Sequence, residues 1–158
     1  MKILKVDHKK CVGCKNCELA CSLEHTGEFN PASSRIHNFV FLEEEFKISI
    51  TCFQCDEPFC TPVCPTAAIT KDEATGALVV SKERCIGCNV CLSACPFGNI
   101  IYSNVEGQAI KCDLCGGEPA CVAFCPTGAL EYTEAEMVVI GKKKVLSEKL
   151  KEAYKELR

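Results

Sequence analysis

Apolar residues occur in short runs, and none approaches the roughly 18 residues needed to cross a bilayer. The longest runs, residues 39–42 and 137–140, have the length of strands. Residues 68–70 and 77–80 read as two strands around a turn at 72–76, where Asp, Thr and Gly gather. Between residues 22 and 51, Asn30-Pro31 marks a loop, and residues 35–42 and 46–50 read as a second hairpin. Phe46, Ile48 and Ile50 share one of its faces. Residues 129–132 and 137–140 read as a third hairpin. Leu146, Leu150, Ala153 and Leu157 recur at helical spacing, so residues 147–157 are expected to form an amphipathic helix with Ser147 as N-cap.

These elements contain too little apolar mass for an ordinary core. The chain has 158 residues, no Trp, eight Phe and three Tyr, and its 47% hydrophobic fraction includes sixteen Cys. Without the cysteines the fraction falls to roughly 37%, so sulfur must replace much of the interior. The formal charge of −3 provides no basic field for a nucleic-acid backbone, and nucleic-acid binding is not expected. Residues 142–158 carry seven basic and three acidic side chains, a local net of +4 that leaves −7 for the rest. The first residues, Met1 to Asp7, lack the apolar stretch of a signal peptide. A cytoplasmic, reducing location without a membrane span is therefore expected, in which dense cysteine holds metal rather than forming disulfides.

The cysteines fall into four groups of four: Cys11, Cys14, Cys17, Cys21; Cys52, Cys55, Cys60, Cys64; Cys85, Cys88, Cys91, Cys95; and Cys112, Cys115, Cys121, Cys125. The third group lies 74 residues after the first at every position, and the fourth lies 60 or 61 after the second. A cluster-binding unit has been duplicated. The first and third groups have the spacing Cys-x2-Cys-x2-Cys-x3-Cys of bacterial ferredoxins, in which the fourth Cys serves the other cluster. Three thiolates two residues apart can wrap three corners of a cubane, and the fourth is better supplied from elsewhere. Pro65, Pro96 and Pro126 follow the last Cys of their groups and suit the first turn of a helix; Ser22 stands in that place in the first group. Gly13 and Gly87 allow a positive φ that turns N–H groups toward sulfur.

Zinc is the main competing reading, since Cys-x2-Cys pairs also build zinc ribbons, but zinc has no need for the third cysteine or the terminal Cys-Pro. His8, His25 and His37 have no mutual spacing and read as surface or hydrogen-bonded residues. Glu43, Glu44 and Glu45 read as a solvated turn. No glycine-rich nucleotide loop is present and no nucleophile with a base can be named, so no catalytic residue is expected.

Residues 11–21, 52–65, 85–96, 111–115 and 125–128 make the chain resemble the four-cluster ferredoxin-like electron-transfer subunits of molybdenum and tungsten oxidoreductases, of which the dimethyl-sulfoxide-reductase iron-sulfur subunit is the namesake. The resemblance implies an α+β fold of two intertwined bacterial-ferredoxin-like modules, with short β-hairpins and small helices around four 4Fe-4S clusters. An inner module of about 52–96 would sit within an outer one built from about 1–30 and 104–132. Residues 133–158 would add a hairpin strand and the C-terminal helix. It also implies a nested ligand pattern: Cys11, Cys14, Cys17 with Cys125; Cys112, Cys115, Cys121 with Cys21; Cys52, Cys55, Cys60 with Cys95; and Cys85, Cys88, Cys91 with Cys64. No position is replaced, so all four clusters would be 4Fe-4S. The short interval from Cys95 to Cys112 resembles compact cytoplasmic members paired with tungsten aldehyde oxidoreductases, benzoyl-CoA-reductase-type complexes, carbon monoxide dehydrogenase or hydrogenases.

The expected function is that of a wire within a hetero-oligomer, which passes single electrons between a large catalytic subunit, most simply a tungsten or molybdenum pterin enzyme, and another carrier or flavin subunit. Lys9, Lys10, Lys15 and Lys111 would offset the clusters' negative charge. The rival readings are a free polyferredoxin and a cluster-based redox sensor, the latter lacking any DNA-binding element.

Overall fold

A computed structural model describes residues 2–136, 140 and 144. Among them, eight strands form four separate two-stranded antiparallel sheets, joined by short helices and by loops that carry the cysteines. In chain order the elements are β1 (Lys2–Val6), α1 (Asn16–Thr26), β2 (Ile36–Phe41), β3 (Phe46–Thr51), β4 (Ile69–Lys71), β5 (Leu78–Val80), α2 (Val90–Ala94), β6 (Ile101–Ser103), β7 (Gln108–Ile110), α3 (Ala120–Ala123) and β8 (Leu130–Glu134).

The expected hairpins at β4–β5 and β2–β3 form, with Ile69 opposite Val80 and Ile36 opposite Thr51. Glu43, Glu44 and Glu45 are exposed in the turn that joins β2 to β3. The faces of this hairpin are the unexpected part. Its buried face carries Ile36, Asn38, Ser49 and Thr51, whereas Phe39, Phe41 and Phe46 are exposed. Polar side chains point inward here because the interior they meet is sulfur, which accepts hydrogen bonds.

Of the hairpin expected at residues 129–132 and 137–140, the first strand forms as β8, and residues 137–139 of the second lie outside the described residues. β8 pairs with β1, Leu4 opposite Tyr132 and Val6 opposite Leu130, and the N–H of Asp7 donates to Ala129 O at 2.8 Å to extend the ladder. Pairing β1 with β8 puts Leu4 and Val6, which share one face of β1, against the core. Ala135, Glu136 and Ile140 are helical; Met137, Val138 and Val139 lie outside the described residues, as does the expected helix at 147–157. The sequence pattern does not mark the β6–β7 hairpin, in which Ser103 lies opposite Gln108.

Three small packed groups replace a single core. One joins Cys60, Cys91, Ile69, Leu78 and Ile100. A second joins Cys17, Cys21, Cys121, Ile36 and Leu130. The third joins Cys112, Ala77 and Leu114, with Cys52 and Leu4 packed against it. Every group contains cysteine, so each stretch of apolar interior is also the wall of a thiol site.

Candidate metal centres

The residue just before the second Cys of each group has a positive φ: 74° at Gly13, 50° at Gln54, 66° at Gly87 and 58° at Leu114. Two glycines predicted this turn in two groups, and the structure repeats it in all four. A non-glycine residue there costs on the order of 1–2 kcal/mol, so the loop conformation is imposed by its surroundings. At Gly87 no alternative exists, because a Cβ would lie 2.8 Å from Gly107 O.

The third Cys of three groups lies in a helix, Cys17 in α1, Cys91 in α2 and Cys121 in α3. The Cys-Pro pairs were expected to open a helix; they close one or form a turn instead. α2 ends at Ala94 with Cys95 extended, and α3 ends two residues before Cys125. Proline disfavours helical geometry in the residue before it and occupies the second place of a β-turn. The turn bonds are Ala67 N to Cys64 O at 3.1 Å, Gly98 N to Cys95 O at 3.2 Å and Gly128 N to Cys125 O at 3.3 Å. These turns fold the next amide back onto sulfur, as in Ala68 N to Cys64 Sγ at 3.2 Å and Asn99 N to Cys95 Sγ at 3.4 Å. Ser22 lets α1 run past Cys21 to Thr26, and its buried hydroxyl accepts from Asn30 N at 3.1 Å.

Twelve of the sixteen thiols thereby line three cavities, each drawn from distant parts of the chain. Cys52, Cys55, Cys60 and Cys95 line one cavity of about 360 Å³, counting its open mouth. Cys11, Cys14, Cys17 and Cys125 line a second of about 290 Å³, and Cys64, Cys85, Cys88 and Cys91 a third of about 330 Å³. Cys121 lies in the electrostatic field of Cys112, Cys21 and Cys115, and also in that of Cys17 from the second cavity. No carboxylate or imidazole lines any of the three cavities. Four thiols in each wall, with no carboxylate or imidazole beside them and with amide donors on sulfur, suit an anionic iron-sulfur cluster.

Burial pushes the Cys17, Cys60, Cys91 and Cys112 thiols up, carries Cys115 to about 11 and drives Cys121 higher still. These groups become thiolates only when a bound cation balances them. At Cys64 and Cys125 burial also raises the thiol, but hydrogen bonds from Thr66 and Thr127 and from nearby amides outweigh it and bring both below the usual range.

Side chains outside the cysteine spacing complete the sites. Asn38 Nδ2 donates to Cys11 Sγ at 3.3 Å, Ser49 Oγ lies 3.5 Å from Cys17 Sγ, and Arg35 N donates to Cys21 Sγ at 3.3 Å. No pattern in the sequence marked these residues, because the β2–β3 hairpin brings them to sulfur only after folding. His25 is a hydrogen-bonded residue as expected, with Nε2 3.8 Å from Cys115 Sγ and 3.4 Å from Asp113 Oδ1, and Arg35 pairs with Asp113 at 2.6 Å. Of the four lysines singled out, Lys9, Lys10 and Lys15 are exposed and Lys111 is buried.

Comparison with known proteins agrees with this chemistry. A 4Fe-4S dicluster domain matches residues 44–135 and a 4Fe-4S binding domain matches residues 8–27. The polyferredoxin-like subunit of aliphatic sulfonate oxidoreductase from Pyrococcus furiosus is 46% identical over 70% of this chain and 63% of its own length. The B subunit of anaerobic dimethyl sulfoxide reductase from Escherichia coli is 38% identical over 70% of this chain and 59% of its own. The chain thus spans less than two thirds of either relative. Among solved structures, a chain of the active site complex BamBC of benzoyl coenzyme A reductase with 1,5-dienoyl-CoA is 26% identical, with a TM-score of 0.51 over 94% of this chain and 90% of that one. No helix among the described residues is long and apolar enough to cross a membrane. The repeated cysteine groups, the thiol-lined cavities and these matches agree: the chain belongs to the family of 4Fe-4S dicluster-domain proteins, it binds 4Fe-4S clusters, and its sixteen cysteines are the number that four clusters require.

Proposed function

We propose that this chain is the iron-sulfur electron-transfer subunit of a cytoplasmic oxidoreductase complex. It would relay single electrons between a catalytic subunit of the tungsten or molybdenum pterin type and another carrier or a flavin subunit. Its ligand sets would be Cys11, Cys14, Cys17, Cys125; Cys21, Cys112, Cys115, Cys121; Cys52, Cys55, Cys60, Cys95; and Cys64, Cys85, Cys88, Cys91. Residues 52–96 form the inner module on this reading, and residues 1–30 with 104–132 the outer one. When bound, each cluster supplies a one-electron couple; the chain supplies the thiolates, the amide donors and the exclusion of water.

The observation that carries the reading is the contact between sets. Cys17 shares a packed group with Cys121, Cys52 packs against the group of Cys112, and Cys60 shares one with Cys91, which supports an arrangement of the four sets in a row. The end sets contain the two exposed thiols, Cys14 and Cys88, and all members of the middle sets are at least partly buried. A row whose most exposed thiols lie at its two ends suits transfer between two partners.

Anaerobic purification with elemental analysis tests this. Iron of about 16 atoms per chain with stoichiometric tungsten or molybdenum is expected, and Cys14→Ser and Cys125→Ser should perturb the same paramagnetic centre. Zinc in place of iron, or different centres disturbed by those two variants, would overturn the ligand sets. Iron without a second metal or a co-purifying subunit would replace the complex with a free carrier.

A further inference from the structure

Lys111 is 3% exposed, and among the described residues no carboxylate pairs with it; Asp113, two positions away, is engaged by Arg35 and His25. Its Nζ donates to Leu78 O, to Gln54 Oε1 at 3.3 Å and to Cys112 O at 3.3 Å. The orientation of the Gln54 amide is fixed independently, since its Nε2 donates to Cys112 O at 2.8 Å and its Oε1 accepts from Leu78 N at 2.8 Å. Every partner of Nζ is therefore an acceptor. Three acceptors satisfy an ammonium with three N–H groups and leave nothing to pair with an amine lone pair, so the cradle is built for the cation. A buried cation without an anion is costly, and three neutral oxygens offset only part of that cost.

The missing anion has an address. Lys111 lines the cavity of Cys52, Cys55, Cys60 and Cys95, and its charge opposes the burial-driven rise at Cys60. Through its backbone it is joined to Cys112 of the neighbouring set. We propose that Lys111 is the fixed counter-charge of the two middle sites and holds the reduction potentials of their clusters above those they would otherwise have. This rests on the ligand sets proposed above. Reduction adds one negative charge to a site, so a buried positive charge beside it favours the reduced form. The exposed Lys9, Lys10 and Lys15 are screened by solvent and cannot do the same.

The test is redox titration of the purified protein, followed by electron paramagnetic resonance, with centres assigned through Cys55→Ser and Cys115→Ser. In Lys111→Gln, which keeps a hydrogen-bonding head and removes the charge, the two middle centres should each become at least tenfold harder to reduce, a 59 mV shift for a one-electron couple. The end centres should stay put, and Lys111→Arg should restore the middle pair. If Lys111→Gln fails to assemble, Gln54→Glu decides: it retains the ammonium but adds a carboxylate beside it, and the same two potentials should fall. Unmoved middle potentials in iron-replete protein, or an equal fall at all four centres, would overturn the role of Lys111. Wild-type iron far below 16 atoms per chain would count instead against the ligand sets.

Discussion

Asn38 and Cys11 lie 27 positions apart, and the carboxamide of one holds the sulfur of the other: Nδ2 is 3.3 Å from Sγ while its second hydrogen goes to Ser49 Oγ at 2.9 Å. The insert between the first two cysteine groups is thus more than a cover. Its inner face completes the outer site with donors that the Cys-x2-Cys loop does not supply.

Replacing Asn38 with Leu removes the donor to Cys11 and the link to Ser49 but keeps the side chain's bulk. The centre bound by Cys11 is expected to become harder to reduce by roughly fivefold, the equivalent of one hydrogen bond at about 1 kcal/mol. Redox titration of that centre beside the other three checks this, and an unchanged potential would remove Asn38 from its electrostatics.

Asp113 gives the protein an acid limit. Burial raises its carboxyl, but Arg35 and His25 outweigh that effect and hold it below the usual range. A depressed carboxyl contributes stability that is full above its unfolded value of about 3.9 and is lost as the pH falls toward the folded value. Asp113→Asn is expected to cost about 2 kcal/mol at neutral pH, from a charge-assisted bond to a mostly buried Arg35, and the gap to wild type should close below about pH 4. Thermal unfolding of both proteins between pH 3 and 7 reads this directly; a gap independent of pH would assign the loss to packing.

Gly87 and Gly98 share nearly the same φ, 66° and 63°, but differ in what surrounds them. A Cβ at Gly98 meets nothing within 4 Å, so Gly98→Ala should cost only the left-handed penalty of about 1–2 kcal/mol. At Gly87 the Cβ would meet Gly107 O at 2.8 Å, so Gly87→Ala must also displace the β6–β7 turn, at about 1–3 kcal/mol more. Equal melting temperatures for the two variants would contradict the close approach.

The cysteine spacing alone determined the chemistry. Sulfur ligation constrains positions along a loop, and a loop long enough to wrap a cluster leaves its signature within a dozen residues. The same local reach made the β4–β5 and β2–β3 hairpins legible, since turn residues and alternating strands lie side by side in the chain. Where information had to come from far away, the sequence was silent or misleading. The pairing of β1 with β8 was invisible because neither strand carries a mark of its partner. The hydrophobic alternation of Phe46, Ile48 and Ile50 identified a strand face but not its side; folding turned Asn38 and Ser49 inward because sulfur, unlike a hydrocarbon core, accepts their hydrogen bonds. The isolation of Lys111 among three oxygens was equally a product of tertiary structure, since Gln54, Leu78 and Cys112 come from three separate segments. Ligand identity is written in one dimension, whereas the hydrogen bonds and charges that tune those ligands are made only by residues that meet in three.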